Sequence, residues 1–117
     1  MEAVARARYQ RVSAKKMNRI LRLIRNKPVP KAMAILKFLP KPSKTPIVKT
    51  LKSAVANAMV KVGKAKLDEK DLFVKSATAD PGPMMKRFRA GPRGSANMIL
   101  RRTCHINITV ATKEEIA

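Results

Sequence analysis

A chain of 117 residues has room for one domain, and 45% apolar residues suffice for a core, but with no Trp, one Tyr and three Phe that core must be built from Ile, Leu, Val, Met and Ala. The formal net charge is +20, far beyond what solubility requires, and self-repulsion at that density opposes compaction unless a polyanionic partner neutralises it. One cysteine excludes an internal disulfide and a cysteine-based zinc site, and fits a reducing compartment.

Val4 to Tyr9 alternates small or apolar residues with Arg6 and Arg8, which predicts a short strand. Ser13 stands where a helix N-cap belongs, and Met17, Ile20, Leu21 and Ile24 then form one apolar stripe. Lys15, Arg19, Arg22 and Asn26 lie opposite, with Arg25 alongside. A charge run is usually a solvated face, but this one has a single sign and no Glu partner at helical spacing, so it repels itself. Asn26-Lys27-Pro28 ends that helix.

A second helix is expected over Val29 to Leu39, with Pro30 near its start and Ala32, Ile35, Leu36 and Leu39 inward. Pro40, Pro42 and Ser43 make a loop. Thr45-Pro46 opens a third helix, whose apolar face is Ile47, Leu51, Ala54, Val55, Ala58 and Val62. Ala54, Ala56 and Ala58 permit close approach to a neighbour, and Gly63 is the expected stop. Residues 64–71 form a polar connection with the acids Asp68, Glu69 and Asp71. No carboxylate falls between Glu2 and Asp68, whereas eighteen Lys or Arg do.

Leu72 to Ala79 reads as a strand, but its buried face is ambiguous, because Leu72 and Val74 compete with Phe73 and Ala77. The return strand is clear: Cys104, Ile106, Ile108 and Val110 point one way, and His105, Asn107 and Thr109 the other. Between the two strands, residues 81–102 hold Lys86, Arg87, Arg89, Arg93, Arg101 and Arg102 with no carboxylate, interrupted by Gly91, Pro92 and Gly94. Such an order predicts an extended hairpin. Each limb adds about 11 residues at roughly 3.3 Å each, so the tip stands on the order of 35 Å beyond the body. So many cations cannot be buried unpaired. The last residues, Ala111 to Ala117, read as a frayed end.

Chemistry other than binding finds little support. Cys104 and His105 are neighbours on a strand and so leave opposite faces, which excludes a catalytic dyad; Cys104 reads as a small core residue. Asp68, Glu69 and Asp71 lack a second cluster to complete an acid–base pair or metal site. No catalytic residue, cofactor or metal is expected. AMAILKFL is too short to span a bilayer, and MEAVARARYQ lacks the apolar stretch of a secretory signal, so the expectation is a cytosolic protein or one made inside an organelle. Scarce aromatics argue against a single-strand stacking platform, and no recognition helix or zinc finger is present. A rigid arm with scattered Arg suits a folded RNA, recognised through shape, backbone and 2′-hydroxyls.

Several segments resemble one family. They are Arg8-Tyr9, Arg11, Ser13, Lys16, Ile24-Arg25, Lys27, Ala32 and Ile35-Leu36; SAVANA at Ser53 to Ala58; and, in the arm, Gly82-Pro83, Met85-Lys86-Arg87, Gly94, Ala96, Ile99-Leu100, Arg102-Thr103 and His105-Ile106. Together they resemble the large-subunit ribosomal protein L-twenty-two family in its bacterial form, over nearly the whole chain. The resemblance implies an α+β fold, β-α-α-α-β-β: a small antiparallel sheet packed on three helices with a long protruding β-hairpin. It divides a single domain into a body (1–80 and 103–117) and an arm (about 81–102).

It further implies a structural constituent of the large ribosomal subunit that binds ribosomal RNA, helps its assembly and lines the nascent-peptide exit tunnel. Expected RNA contacts are Arg6, Arg8, Arg11, Lys15, Lys16, Arg19, Arg22, Arg25, Lys27, Lys86, Arg87, Arg89, Arg93, Arg101, Arg102 and His105. Expected tunnel-lining residues are Met84, Met85, Lys86, Arg87, Phe88, Arg89, Ala90, Gly91, Pro92, Arg93 and Gly94. Expected partners are large-subunit RNA, neighbouring ribosomal proteins and, transiently, the nascent peptide, with no membrane. At the tip this chain departs from the family's common pattern: Gly91, Ser95 and Met98 replace positions that are often Arg. On charge alone, the alternative is a free-standing, nonspecific nucleic-acid-binding protein.

Overall fold

Strict alternation in two segments sets the sheet. In a computed structural model, which describes residues 2–40, 44–62 and 71–112, strand β1 (Glu2–Gln10) turns Ala3 and Ala5 inward and leaves Arg6 and Arg8 exposed. The last strand of the chain, residues Cys104–Thr112, buries Cys104, Ile106, Ile108 and Val110 and keeps His105, Asn107 and Thr109 on the other face. This strand is the centre of a three-stranded antiparallel sheet, with β1 on one side and β2 (Leu72–Pro81) on the other.

Three helices cover the inner face. In α1 (Ala14–Ile24) the predicted stripe Met17, Ile20, Leu21 and Ile24 is buried. Ser13 takes the N-cap position with extended backbone, but its hydroxyl makes no capping bond; its carbonyl accepts the Met17 N–H at 3.1 Å. Asn26, in the left-handed region at φ 60°, turns the chain out of the helix. Helix α2 (Val29–Phe38) buries Val29, Ala32 and Leu36, while Ile35 and Leu39 are half-buried. Helix α3 (Thr45–Val62) buries Ile47, Leu51, Ala54, Val55 and Ala58. Of the small residues expected to permit close packing, Ala54 and Ala58 face the core and Ala56 faces solvent. Thr50, also buried, donates its hydroxyl to the Pro46 carbonyl one turn back, which removes the cost of an unpaired polar group.

A break in register explains why β2 resists a phase assignment. Leu72 and Val74 pair with Thr112 and Val110, but the register then shifts by one, and Ser76 and Ala77 pair with Thr109 and Ile108. The extra residue, Lys75, is a β-bulge, and it moves the inward set from Leu72 and Val74 to Ala77 and Ala79, all four of them buried in the core. A second shift follows past Pro81, where three residues on one limb oppose two on the other.

Beyond that break the ribbon continues as the arm, a separate two-stranded sheet of β3 (Met85–Ala90) and β4 (Ala96–Arg101); the central strand, Cys104–Thr112, is then β5. Its root is tied by the Thr103 hydroxyl donating to the Pro83 carbonyl at 2.6 Å and by the Gly82 N–H donating to the Thr103 carbonyl at 2.9 Å. At the tip, residues Pro92–Gly94 make one 3-10 turn. Gly94 has φ 75°, and a Cβ on Gly91 would lie 2.8 Å from the Ser95 carbonyl oxygen, so one glycine supplies positive φ and the other close approach.

Both sheet edges of the body are covered. Along β2, Asn18 exchanges two 3.0 Å hydrogen bonds with the backbone of Ala79, Arg25 Nε donates to the Ala77 carbonyl at 2.7 Å, and Asn26 and Lys27 exchange backbone bonds with Val74. Along β1, Asn57 and Lys61 of α3 donate to the Val4 and Glu2 carbonyls at 3.0 and 2.8 Å. These bonds blunt both backbone edges as templates for aggregation. The molecule measures 66 × 25 × 23 Å with a radius of gyration of 17.5 Å, against about 13 Å for a compact domain of this length. The arm supplies the difference. Pro42, Ser43, Gly63, Asp68, Glu69, the rest of residues 63–70 and the tail at 113–117 lie outside the described residues, as does the Val62 side chain.

Candidate nucleic-acid interface

The fold gathers the candidate cations onto four surfaces. The first is the outer face of the sheet, where Arg6, Arg8, Tyr9, Asp80, His105, Asn107 and Thr109 line a polar recess of about 490 Å³. Strand register explains the gathering, since Arg6 lies opposite Asn107 and His105 opposite Asp80. Asn107 Nδ2 donates to the Asp80 carboxylate at 3.0 Å. Tyr9, at φ 57° where the β1 register shifts, donates its N–H to His105 Nδ1 at 3.0 Å, and the two rings meet edge-on at 4.8 Å. A neutral His105 that accepts at Nδ1 carries its proton on Nε2 and is a donor there.

The second surface is the arm root. Arg11 and Lys16 meet Arg101 and Arg102 around a recess of about 470 Å³, and Lys15 and Arg102 line a smaller one beside it. These residues are some ninety positions apart in sequence, and only the return of the chain through β4 brings them together. The third surface is the exposed side of α1, with Lys15, Lys16, Arg19 and Arg22. Its first turn has no acid, and Lys15 and Lys16 stand there against the helix dipole, which favours anions. The fourth is the arm, where Lys86, Arg87, Arg89, Arg93, Arg101 and Arg102 are all exposed. Arg93 takes the left-handed conformation, φ 56°, at the tip. Of the expected tunnel-lining set, Met85 and Gly91 are half-buried and the rest exposed.

Two candidates are also part of the scaffold. Arg25 is half-buried with Nε committed to β2, and the carbonyl of the half-buried Lys27 accepts the Val74 N–H at 2.9 Å. Their outward capacity is what those bonds leave over. Residues passed over in the sequence complete the recess: Tyr9, Asp80, Asn107 and Thr109. The alternation that puts Asn107 and Thr109 beside His105 is a sufficient signal for those two; the Asp80 pairing is not visible without the register.

Cys104 and His105 lie on opposite faces, and burial pushes the Cys104 thiol above its ordinary pKa, so it stays protonated and unreactive at neutral pH. Among the described residues no group of three or more His, Cys, Asp or Glu is placed to hold a metal ion, and no helix is long and apolar enough to cross a membrane.

Residues 5–111 match the family described as ribosomal protein L22p/L17e. The chain is 47% identical over 116 residues to the large ribosomal subunit protein uL22 of Bifidobacterium animalis subsp. lactis (strain AD011), covering 97% of this chain and 98% of that protein. The same identity and coverage hold for the large ribosomal subunit protein uL22 of Bifidobacterium longum (strain DJO10A).

Proposed function

The chain belongs to the ribosomal protein L22p/L17e family, and from that premise we propose that it is a structural, non-enzymatic constituent of the large ribosomal subunit. Its body holds ribosomal RNA from outside, and its arm runs into the folded RNA to the nascent-peptide tunnel. The observation that carries this reading is the division of the molecule. None of the residues in or packed against the apolar core comes from 81–102, yet that stretch holds six cations and no acid. A ribbon that adds nothing to the core and repels itself is accounted for by what surrounds it, and phosphate is the anion that matches its guanidinium forks.

Body (1–80 and 103–117) and arm (81–102) are in this reading two parts of one domain. The RNA contacts fall to the four cationic surfaces above, and residues 84–94 line the tunnel, where they touch the passing peptide. Neighbouring ribosomal proteins are further partners, and the setting is the cytoplasmic ribosome.

Washing large subunits with increasing salt tests the proposal. Ion-pair contacts to phosphate weaken steeply as salt rises, so a free-standing nonspecific binder leaves in the first washes. An arm enclosed by RNA stays until the RNA itself loosens. Retention of this protein on sedimented subunits through a high-salt wash is the expected result; release in step with a simple polycation overturns it.

A further inference from the structure

The two faces of the arm differ in chemistry. In the antiparallel register of β3 and β4, Lys86 lies opposite Leu100, Phe88 opposite Met98 and Ala90 opposite Ala96; Met85 lies opposite Arg101, Arg87 opposite Ile99 and Arg89 opposite Asn97. Directly opposed residues share a face, and successive residues alternate. One face therefore presents Phe88, Met98, Leu100, Ala90 and Ala96 with a single cation, Lys86. The other presents the guanidinium groups of Arg87, Arg89 and Arg101. Phe88 is 72% exposed, Met98 54% and Leu100 37%, whereas Met85 and Ile99, the apolar residues of the arginine face, are half-buried. Within the paired strands β3 and β4, the large apolar side chains most open to water are thus gathered on one face.

We propose, resting on the reading that the arm lies within folded RNA, that its apolar face stacks on unpaired nucleobases while its arginine face takes the phosphates. The flat faces of bases are the apolar part of an RNA, and they are offered where loops and bulges splay them out. A single exposed Phe flanked by a thioether and an aliphatic side chain suits one or two bases rather than a platform. Lys86 beside it matches the phosphate that links such bases. A passing peptide offers this patch no fixed complementary surface, whereas a folded RNA offers base faces held in place.

The test is equilibrium binding of the full-length protein to protein-free large-subunit ribosomal RNA across a salt series. The variants are Phe88→Ala with Met98→Ala, Phe88→Tyr, and Arg87→Gln with Arg89→Gln. Arm pairing is checked by amide exchange of β3 and β4. The apolar double variant is expected to weaken binding about five- to hundredfold with an unchanged salt slope, the loss that truncating a stacked aromatic produces. Phe88→Tyr should bind like wild type, because it keeps the ring. The arginine double variant should lower the slope by about 0.7–0.9 for each phosphate it no longer neutralises. Wild-type affinity in the apolar double variant overturns the proposal and leaves that face to the peptide or a second copy. A changed slope in that variant also overturns it, since the face then acts through charge. If the wild-type protein itself ignores the RNA, the reading on which this rests falls as well.

Discussion

Deleting Met84 through Asn97 leaves a folded body that has lost its hold on the large subunit. The first half of that expectation comes from packing. The core cluster and the residues packed on it run from Ala3 to Val110 without using the deleted stretch, and β3 and β4 pair only with each other. The chain can close from Pro83 to Met98 as a short loop between β2 and β5, and shortening a flexible loop carries little entropic penalty. Thermal unfolding of the variant should therefore remain a single cooperative transition, with a midpoint near that of the intact protein. The second half comes from charge. The deletion removes Lys86, Arg87, Arg89 and Arg93, and four phosphate contacts correspond to an affinity difference on the order of a thousandfold at 0.1 M salt. In competition with the intact protein, the variant should be nearly absent from assembled subunits. Cooperative melting of the body on deletion contradicts the division into body and arm; equal incorporation contradicts the role of the arm.

Reversing two charges on α1 has the next largest expected effect. Arg19→Glu with Arg22→Glu changes only exposed positions, opposite the buried stripe of Met17, Ile20, Leu21 and Ile24. Glu at position 19 also places an opposite charge four residues from Lys15, which adds a few tenths of a kcal/mol of helix stability. Glu at position 22 opposes the helix dipole in the last turn by a comparable amount, so helicity by circular dichroism should stay nearly unchanged. Binding to ribosomal RNA should fall on the order of a hundredfold at 0.1 M salt, because two favourable phosphate contacts become repulsive. Unaltered binding returns this face to ordinary solvation.

Much of the molecule is legible in its sequence, and the reasons are local. The stripe of α1, the small residues Ala54 and Ala58 of α3, the alternation of β5 and the Gly/Pro break in the arm are each periodic or local signals that the tertiary structure reinforces. The phase of β2 is not legible, because one inserted residue, Lys75, changes which positions point inward, and a window that spans the bulge averages two opposite phases. Ser13 does stand at the N-cap, but its hydroxyl makes no capping bond. The scaffold roles of Arg25 and Asn18 are hidden because an Arg in a cationic stripe looks like its neighbours until the edge of β2 is brought against it. The meeting of Arg11 and Lys16 with Arg101 and Arg102 depends on chain return, which no local pattern encodes. An apolar groove of about 990 Å³ between α2 and α3, lined by residues such as Leu36, Val48 and Met59 together with Lys37, Lys49 and Lys52, is likewise invisible in the sequence. Its residues come from two helices whose own stripes point mainly elsewhere.

A density map of large subunits assembled with this protein tests the central claim most directly. The account predicts continuous density for β3 and β4 within the folded RNA, with Arg87 and Arg89 against phosphates and residues 84–94 reaching the tunnel wall. A map in which the arm stands in solvent, with only the body touching the subunit, contradicts it.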